Sequence, residues 1–324
     1  MSGQEITDIR VLSLPLTTSF RGLSYRELAV FKGSQRWAEF SPFVEYDDQE
    51  AAQWLKGALS YANDDLPKPV REWISVNATL PAVKLNEIDD VLALFPGFRT
   101  VKIKVAENPT SLSQDLARIR HVSENYPGRK IRLDANGALG VQQTIELIEE
   151  LGDIRLEYFE QPVRTITELK ELKNEIARKG LNTKIAADES IRKVTDPFLV
   201  AKEQAADIAV LKVQPLGGIE VAAAIAAESG LEIVVSSALE SSLGIAQGLQ
   251  LAASLDNLNF DCGLWTQNLL TDDIVKEPLE VVDARIRVNV PEVDHDKLEK
   301  YRAPKEREEF WLSRIERCLK LLEA

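Results

Sequence analysis

The stretch Val101-Lys-Ile-Lys-Val105 alternates charge with β-branched residues. Successive side chains of a strand point to opposite faces, so Lys102 and Lys104 share one face and Val101, Ile103 and Val105 the other. The apolar face suits a seat under helices. A lysine face inside a fold needs a reason, either a demand for positive charge or a proton carrier. Three acids follow, each closing a short apolar run: Asp134 after Lys130-Ile-Arg-Leu, Glu160 after Arg155-Leu-Glu-Tyr-Phe, and Asp188 after Lys184-Ile-Ala-Ala. Lys212 closes the next run, Ile208-Ala-Val-Leu. A single acid after a strand can simply cap the next helix. Three in register, flanked by lysines on both sides, point to a site. Carboxylates brought together repel unless a cation holds them. All-oxygen ligands suit a hard ion; magnesium is the usual choice where positions stay open for substrate oxygens, with manganese as the alternative. A free lysine, with a pKa of about 10.4, is protonated at neutral pH. A divalent cation and a second ammonium both disfavour that charge, which makes Lys104 the candidate base. The implied chemistry is removal of a proton next to a carboxylate, with the enediolate held on the metal.

Such a constellation needs elements that deliver it to one place. After a linker-like stretch, Asn63-Asp-Asp-Leu-Pro-Lys-Pro69, one pattern repeats: a short apolar strand ends in polar residues and an amphipathic helix follows. The strands are predicted at 73–79, 100–105, 130–134, 155–160, 184–188, 208–212 and 231–237, with a less regular eighth at 258–263. Their ends fall at 104, 134, 160, 188, 212, 237 and 263, spaced by 24 to 30 residues. That is the length of a strand plus a crossover helix. The helices are predicted at 112–124, 142–151, 166–178 and 219–228. Even βα units in this number predict a closed parallel barrel of (β/α)7β type, whose chemistry sits at the C-terminal strand ends. No G-x-G-x-x-G follows the first strand, as a dinucleotide-binding open sheet would require. Residues 1–70 read as a small α+β unit, with strands at 6–14, 26–33 and 36–40, a polar loop at 17–22, and a helix at 48–61. Residues from about 286, with a helix at 305–322, are expected to pack back on it. The catalytic barrel is then 71–285 and the capping unit is 1–70 with 286–324.

The 324 residues carry a net charge of -13, which argues against nucleic acid as a partner. No stretch approaches the roughly 18 apolar residues of a membrane span. The start, Met1-Ser-Gly-Gln-Glu-Ile-Thr-Asp8, has neither the basic nor the apolar segment of a secretory signal. Cys262 and Cys318 make no disulfide framework and suit a reducing cytoplasm. His121 and His295, among polar neighbours, read as surface residues, so a histidine triad or three-histidine metal site is not expected.

The order K-x-K, Asp, Glu, Asp, Lys on successive strands resembles the enolase superfamily, in its muconate-lactonizing branch, from about residue 8 to 285. The strings VKIKV, RLDANGAL, YFEQP, AADES, VLKVQPLGG, VVSSALESSLG and CGLWT carry the resemblance. Together with WAEFSPFVEYDDQEAA, they are most similar to the branch's dehydratases of menaquinone biosynthesis. The resemblance implies a small carboxylate substrate and syn-dehydration of 2-succinyl-6-hydroxy-2,4-cyclohexadiene-1-carboxylate. It implies Asp134, Glu160 and Asp188 as metal ligands, and Lys104 as the base that then delivers its proton to the leaving hydroxide. Lys212 would stabilise the enediolate from the other face of the ring, and Lys102 would support Lys104. Asn136 and Glu189 would stand behind the ligands. Ser237, with backbone donors near Ser242 and Gly263, would hold the succinyl carboxylate at a helix start. The loop Phe20-Arg21-Gly22 and the segment Phe43–Tyr46 would form a lid. Residue 238 is Ala where a serine is expected. Other reactions open to the same constellation are N-acylamino acid racemization, dipeptide epimerization and muconate-type cycloisomerization; a barrel kept only for metal or ligand binding is the non-enzymatic alternative. Dipeptide epimerases usually carry D-x-D at the eighth strand end, where this chain has Asp261-Cys-Gly. Oligomeric state is left open.

Overall fold

The computed structural model describes residues 5–20, 22–107, 112–193 and 196–323. Arg21, expected in the lid, lies outside the described residues. The chain begins with β1 (Thr7–Phe20), β2 (Leu23–Lys32), β3 (Trp37–Phe40) and α1 (Asp48–Asn63). Two short strands follow, β4 (Trp73–Ser75) and β5 (Ala78–Leu80), with α2 (Ile88–Ala93) behind them. The regular units come next: β6 (Thr100–Lys104), α3 (Leu112–Asn125), β7 (Lys130–Asp134), α4 (Val141–Glu150), β8 (Leu156–Glu160) and α5 (Ile166–Arg178). After β9 (Ile185–Ala187) come α6 (Glu189–Arg192) and α7 (Leu199–Lys202); after β10 (Ile208–Leu211), α8 (Val213–Leu216) and α9 (Ile219–Glu228). The chain closes with β11 (Glu232–Val235), α10 (Ser242–Ser254), β12 (Val281–Val282), β13 (Arg285–Arg287), α11 (His295–Lys300) and α12 (Lys305–Glu323).

Strands β5 to β11 form one parallel sheet in sequence order. Lys104 sits opposite Asp134, and Asp134 opposite Glu160, so the register itself lines up the strand ends. The eighth strand expected at 258–263 is reduced to two parallel bridges, Val76 with Cys262 and Ser236 with Gly263, which join the two edges of the sheet. Gly263 is needed there, because a Cβ would meet the Ser236 hydroxyl closer than side chains approach. The strand expected at 73–79 is split. Its first half, β4, pairs antiparallel with β13 of the tail, and its second half, β5, pairs parallel with β6. Every residue of β6 is buried, Val101 and Ile103 outward under helices and the lysines inward. A separate apolar plug of Tyr158, Ala186, Ile208, Val210, Val234 and Phe260 fills the barrel below the lysines.

Strands β1, β2 and β3 make an antiparallel sheet. The loop expected at 17–22 is shorter than that, because β1 runs on to Phe20 beyond a register shift after Pro15. Helix α1 starts at Asp47, whose side chain accepts the Glu50 N–H. It packs close to α8, where a Cβ at Gly57 would reach the Gln214 carbonyl at 3.0 Å. Helix α12 packs on α1 and β1. Arg317 reaches Asp48 at 2.6 Å, and the Trp311 indole donates to Glu27 at 2.9 Å. The main core is continuous from Phe31 and Trp54 in these elements to Ile131 and Leu169 in the barrel. His121 and His295 lie at the surface, the first donating to the Asp89 carboxylate, the second edge-on to Trp37. Among the described residues no helix is long and apolar enough to cross a membrane.

Candidate active site

Period-two alternation places Lys102, Lys104, Asp134 and Glu160 on the inner face of three neighbouring strands. Asp188 and Lys212 stand directly after β9 and β10, at the same end of the barrel. The three acids and three lysines are all buried, Glu160 and Asp188 completely. Lys104 Nζ lies 2.5 Å from Asp134 Oδ2 and 2.8 Å from Asn136 Oδ1. Lys102 Nζ lies 2.9 Å from Glu160 Oε2 and 3.7 Å from Asp134 Oδ2. Lys212 Nζ lies 2.6 Å from Asp188 Oδ2. Asn136, at φ +47°, also donates to Glu189 Oε1 at 3.2 Å. The structure therefore brings together the three lysines, the three acids, Asn136 and Glu189.

The charges do not balance pairwise. Burial pushes Glu160 up to about 7; Asp134 and Asp188 add to this while Lys102 and Lys212 oppose it. Burial also works against charge on Asp134, but Lys104 and Lys102 pull it down to about 2. Asp188 is held below the ordinary range, Lys212 and Arg192 outweighing its burial. Lys102 loses some basicity to burial, yet Glu160 and Asp134 hold it well above the usual lysine range. Among the described residues no three acidic, histidine or cysteine side chains are gathered closely enough to hold an ion as they stand. Each carboxylate accepts an ammonium instead. The chemistry of the set still fits a hard divalent cation: six carboxylate oxygens from three adjacent strand ends, buried, with Glu160 short of compensating charge.

A cavity of about 40 Å³ lies over these groups. That is room for a few water molecules. Ser237, Gly263 and Ala238 line it on the barrel side, and Phe20, Phe43, Tyr46 and Trp54 on the side of the N-terminal elements. The Ser237 hydroxyl is 2.6 Å from the Gly263 carbonyl and 2.9 Å from Thr266 Oγ1. Ser242 does not join them. Its N–H and hydroxyl both go to Asp273, and the Ser241 N–H goes to Glu39, so the expected helix start of α10 is already filled by two carboxylates. Asp261 accepts the Thr100 hydroxyl at 2.7 Å and is not on the cavity wall.

Sequence reading missed Arg192, Thr79 and Thr266 on the wall. Arg192 stands four residues after Asp188 on α6, and that spacing was the available signal. It also missed the pair Asp115 and Arg118 on α3. Arg118 bonds Asp115 and reaches the Lys104 carbonyl at 3.3 Å, while Asp115 accepts the Ala106 N–H at 2.8 Å. Ala106 has φ +58°. The buried pair thus holds the turn that follows the K-x-K strand.

Two family descriptions match the chain: Enolase N-terminal domain-like over residues 11–62 and Enolase C-terminal domain-like over residues 89–292. An o-succinylbenzoate synthase of Mycolicibacterium smegmatis is 44% identical over 315 residues, 97% of this chain and 96% of the relative. That of Mycobacterium leprae is 42% identical, covering 97% of this chain and 92% of the relative. Among solved structures, the muconate lactonizing enzyme of Pseudomonas putida superposes with a TM-score of 0.75 at 21% identity, over 92% of this chain and 99% of the other. The Pseudomonas fluorescens enzyme complexed with muconolactone gives 0.76 at 21%, over 93% and 100%. The fold is thus that of the enolase-superfamily barrels with an N-terminal cap. With the family match and the full-length similarity in agreement, the chain belongs to the enolase superfamily, in the family of the o-succinylbenzoate synthases.

Proposed function

We infer that the chain catalyses the o-succinylbenzoate synthase reaction, the syn-dehydration of 2-succinyl-6-hydroxy-2,4-cyclohexadiene-1-carboxylate to 2-succinylbenzoate. The observation that carries it is the pair of buried lysines, Lys104 and Lys212, set on either flank of three buried carboxylates under a small cavity, in a chain 44% identical to named synthases. Lys104 Nζ takes the proton next to the substrate carboxylate and the C–H electron pair passes into the enediolate. The same nitrogen returns that proton to the hydroxide leaving from the same face; one water is lost and Lys104 ends neutral, as it began. Lys212 stays protonated on the opposite face and offsets the charge that develops. Lys102 is a fixed cation beside the base. Asn136 holds the Lys104 nitrogen by its amide oxygen.

Asp134, Glu160 and Asp188 would hold magnesium, with manganese as the substitute. A bound divalent ion supplies positive charge against the substrate carboxylate as the proton leaves. Ser237 and Gly263 on the barrel side support a seat for the succinyl end. Ser242, committed to Asp273, is left out of it. Residues 1–70 with 286–324 form the cap, whose Phe20, Phe43 and Tyr46 line the cavity and would cover the ring. The setting is the cytoplasm, within menaquinone biosynthesis. A spectrophotometric assay of this dehydration, with and without excess chelator, tests the reading. Turnover that disappears on chelation and returns with magnesium is expected. No turnover of the cyclohexadiene with magnesium present would refute it.

A further inference from the structure

Arg192 joins the site to the cap. Its side chain is 5% exposed, and all three guanidinium nitrogens are engaged. Nε lies 3.0 Å from Asp188 Oδ1, Nη2 2.9 Å from Glu189 Oε1, and Nη1 3.1 Å from Glu50 Oε1. Nη2 is also 3.4 Å from the Tyr46 hydroxyl. Glu50 belongs to the first turn of α1, and Tyr46 to the segment just before it, so two of these partners come from the cap. The other two lead to the catalytic lysines. Asp188 Oδ2 accepts Lys212 at 2.6 Å. Glu189 Oε1 accepts Asn136, whose amide oxygen accepts Lys104 at 2.8 Å.

A planar guanidinium bonded in this way holds its partners in fixed relative directions, which a flexible ammonium does not. Helix α6 is only four residues long, too short to fix Asp188 and Glu189 through its own backbone ladder. We propose that Arg192 is a positioning residue that carries the docking of the cap to the two lysines. Glu50 anchors the fork, the fork sets Asp188 and Glu189, and these set Lys212 directly and Lys104 through Asn136. With α1 docked through Glu50, both lysines are held in alignment together. The proposal rests on the reading of Lys104 and Lys212 as catalytic groups. It adds that their alignment depends on a contact from α1.

The test uses the full-length, magnesium-loaded enzyme and the variants Glu50→Ala, Arg192→Lys and their combination, with Lys104→Ala alongside. Glu50→Ala leaves Asp188 and Arg192 in place and removes the charged anchor of the fork, along with the 3.1 Å contact of Glu50 to Lys193 Nζ; the longer Tyr46 contact remains. It is expected to lower kcat roughly 10- to 100-fold, the scale of a misplacement of about an ångström, with KM and Tm nearly unchanged. Magnesium affinity by calorimetry stays at the wild-type value, and amide hydrogen exchange quickens at residues 188–192. Arg192→Lys keeps the charge but loses the fork and falls at least as far in kcat. The double variant is no worse than Arg192→Lys, because both act through one guanidinium. A Glu50→Ala enzyme with wild-type kcat overturns the relay. So do losses that multiply in the double variant, and so does a fall in magnesium affinity that matches the fall in kcat. If Lys104→Ala is inactive while Glu50→Ala and Arg192→Lys behave as wild type, only the relay fails. If Lys104→Ala still dehydrates, the assignment of the base fails and takes the relay with it.

Discussion

At the scale of residues, the site is a charge problem solved by position. Three carboxylates and three lysines share a buried volume in which a charge left alone would be costly. Lys104 and Lys212 occupy its two flanks, each within hydrogen-bond reach of one acid. Their proposed roles differ, and substitution separates them. Lys212→Arg keeps a cation but no group that titrates near neutral pH. Dehydration in this variant is expected to fall by no more than about 10³-fold, the worth of one electrostatic contact. Racemization of an N-succinylamino acid, which requires proton transfer on both faces, is expected to vanish, while the enantiomer whose α-proton faces Lys104 still exchanges it in heavy water. Racemization that persists in Lys212→Arg would show that this lysine is not needed for the second face. The six charged residues were legible in the sequence because strand alternation and even spacing put them in register. Ser242 was misjudged for a physical reason. A helix N-terminus attracts any carboxylate, and here Asp273 and Glu39 from the chain itself fill α10's.

At the scale of elements, the strand ends need support from the helices behind them. The clearest case is the turn after β6. Arg118 and Asp115 hold the Lys104 carbonyl and the Ala106 N–H, on a residue whose φ is +58°. Burial raises the Asp115 carboxyl, and Arg118 opposes that. Arg118→Met breaks the pair and leaves an uncompensated buried acid, at a cost of about 3–5 kcal/mol. Asp115→Asn with Arg118→Met removes the orphan charge and should recover much of the stability. It does not restore the hold on Lys104, so kcat stays roughly 10-fold down. Thermal unfolding and steady-state kinetics on the two variants check this; a double variant with both stability and kcat at wild type would remove the clamp from the account. These helices were legible as helices, and their contribution to the site was not. Asp115 and Arg118 read as one more surface pair at helical spacing, and only the tertiary structure shows them buried. The split at 73–79 was hidden likewise, because β4 finds its partner β13 some 210 residues along the chain.

At the scale of the whole molecule, the cap is joined to the barrel by a buried polar seam. Arg26 reaches the Leu239 carbonyl at 2.9 Å. Glu39 accepts Ser41 at 2.6 Å and the Ser241 N–H at 3.1 Å, and Gln214 donates to Glu240 at 2.8 Å. Burial first, and then the charge of Glu39, pushes Glu240 up to about 8; burial raises Glu39 as well. A carboxyl that holds its proton more tightly folded than unfolded stabilises the fold below its unfolded value. That stability is lost as pH rises through the folded value. Tm should therefore fall as pH rises from about 4.5 to about 8, and fall less in Glu240→Gln, which mimics the protonated form. Depressed acids such as Asp134, at about 2 against an ordinary 3.8, act only at far lower pH. Equal slopes of Tm against pH in wild type and variant would place the titration elsewhere. The barrel itself was legible from spacing alone, since seven near-equal units leave few other closures. The seam was not legible, because Glu39 and Glu240 lie 201 positions apart and neither belongs to a periodic pattern.

The central claim is that Lys104 alone moves the proton in dehydration. Single-turnover consumption of 2-succinyl-6-hydroxy-2,4-cyclohexadiene-1-carboxylate, followed by ultraviolet absorbance in magnesium for Lys104→Ala and Lys212→Ala, tests it directly. The account predicts that Lys104→Ala loses several orders of magnitude, because base and acid are removed together, while Lys212→Ala keeps a slow but measurable rate. A Lys104→Ala enzyme that still forms 2-succinylbenzoate, beside a Lys212→Ala enzyme that does not, would contradict it and reverse the two roles.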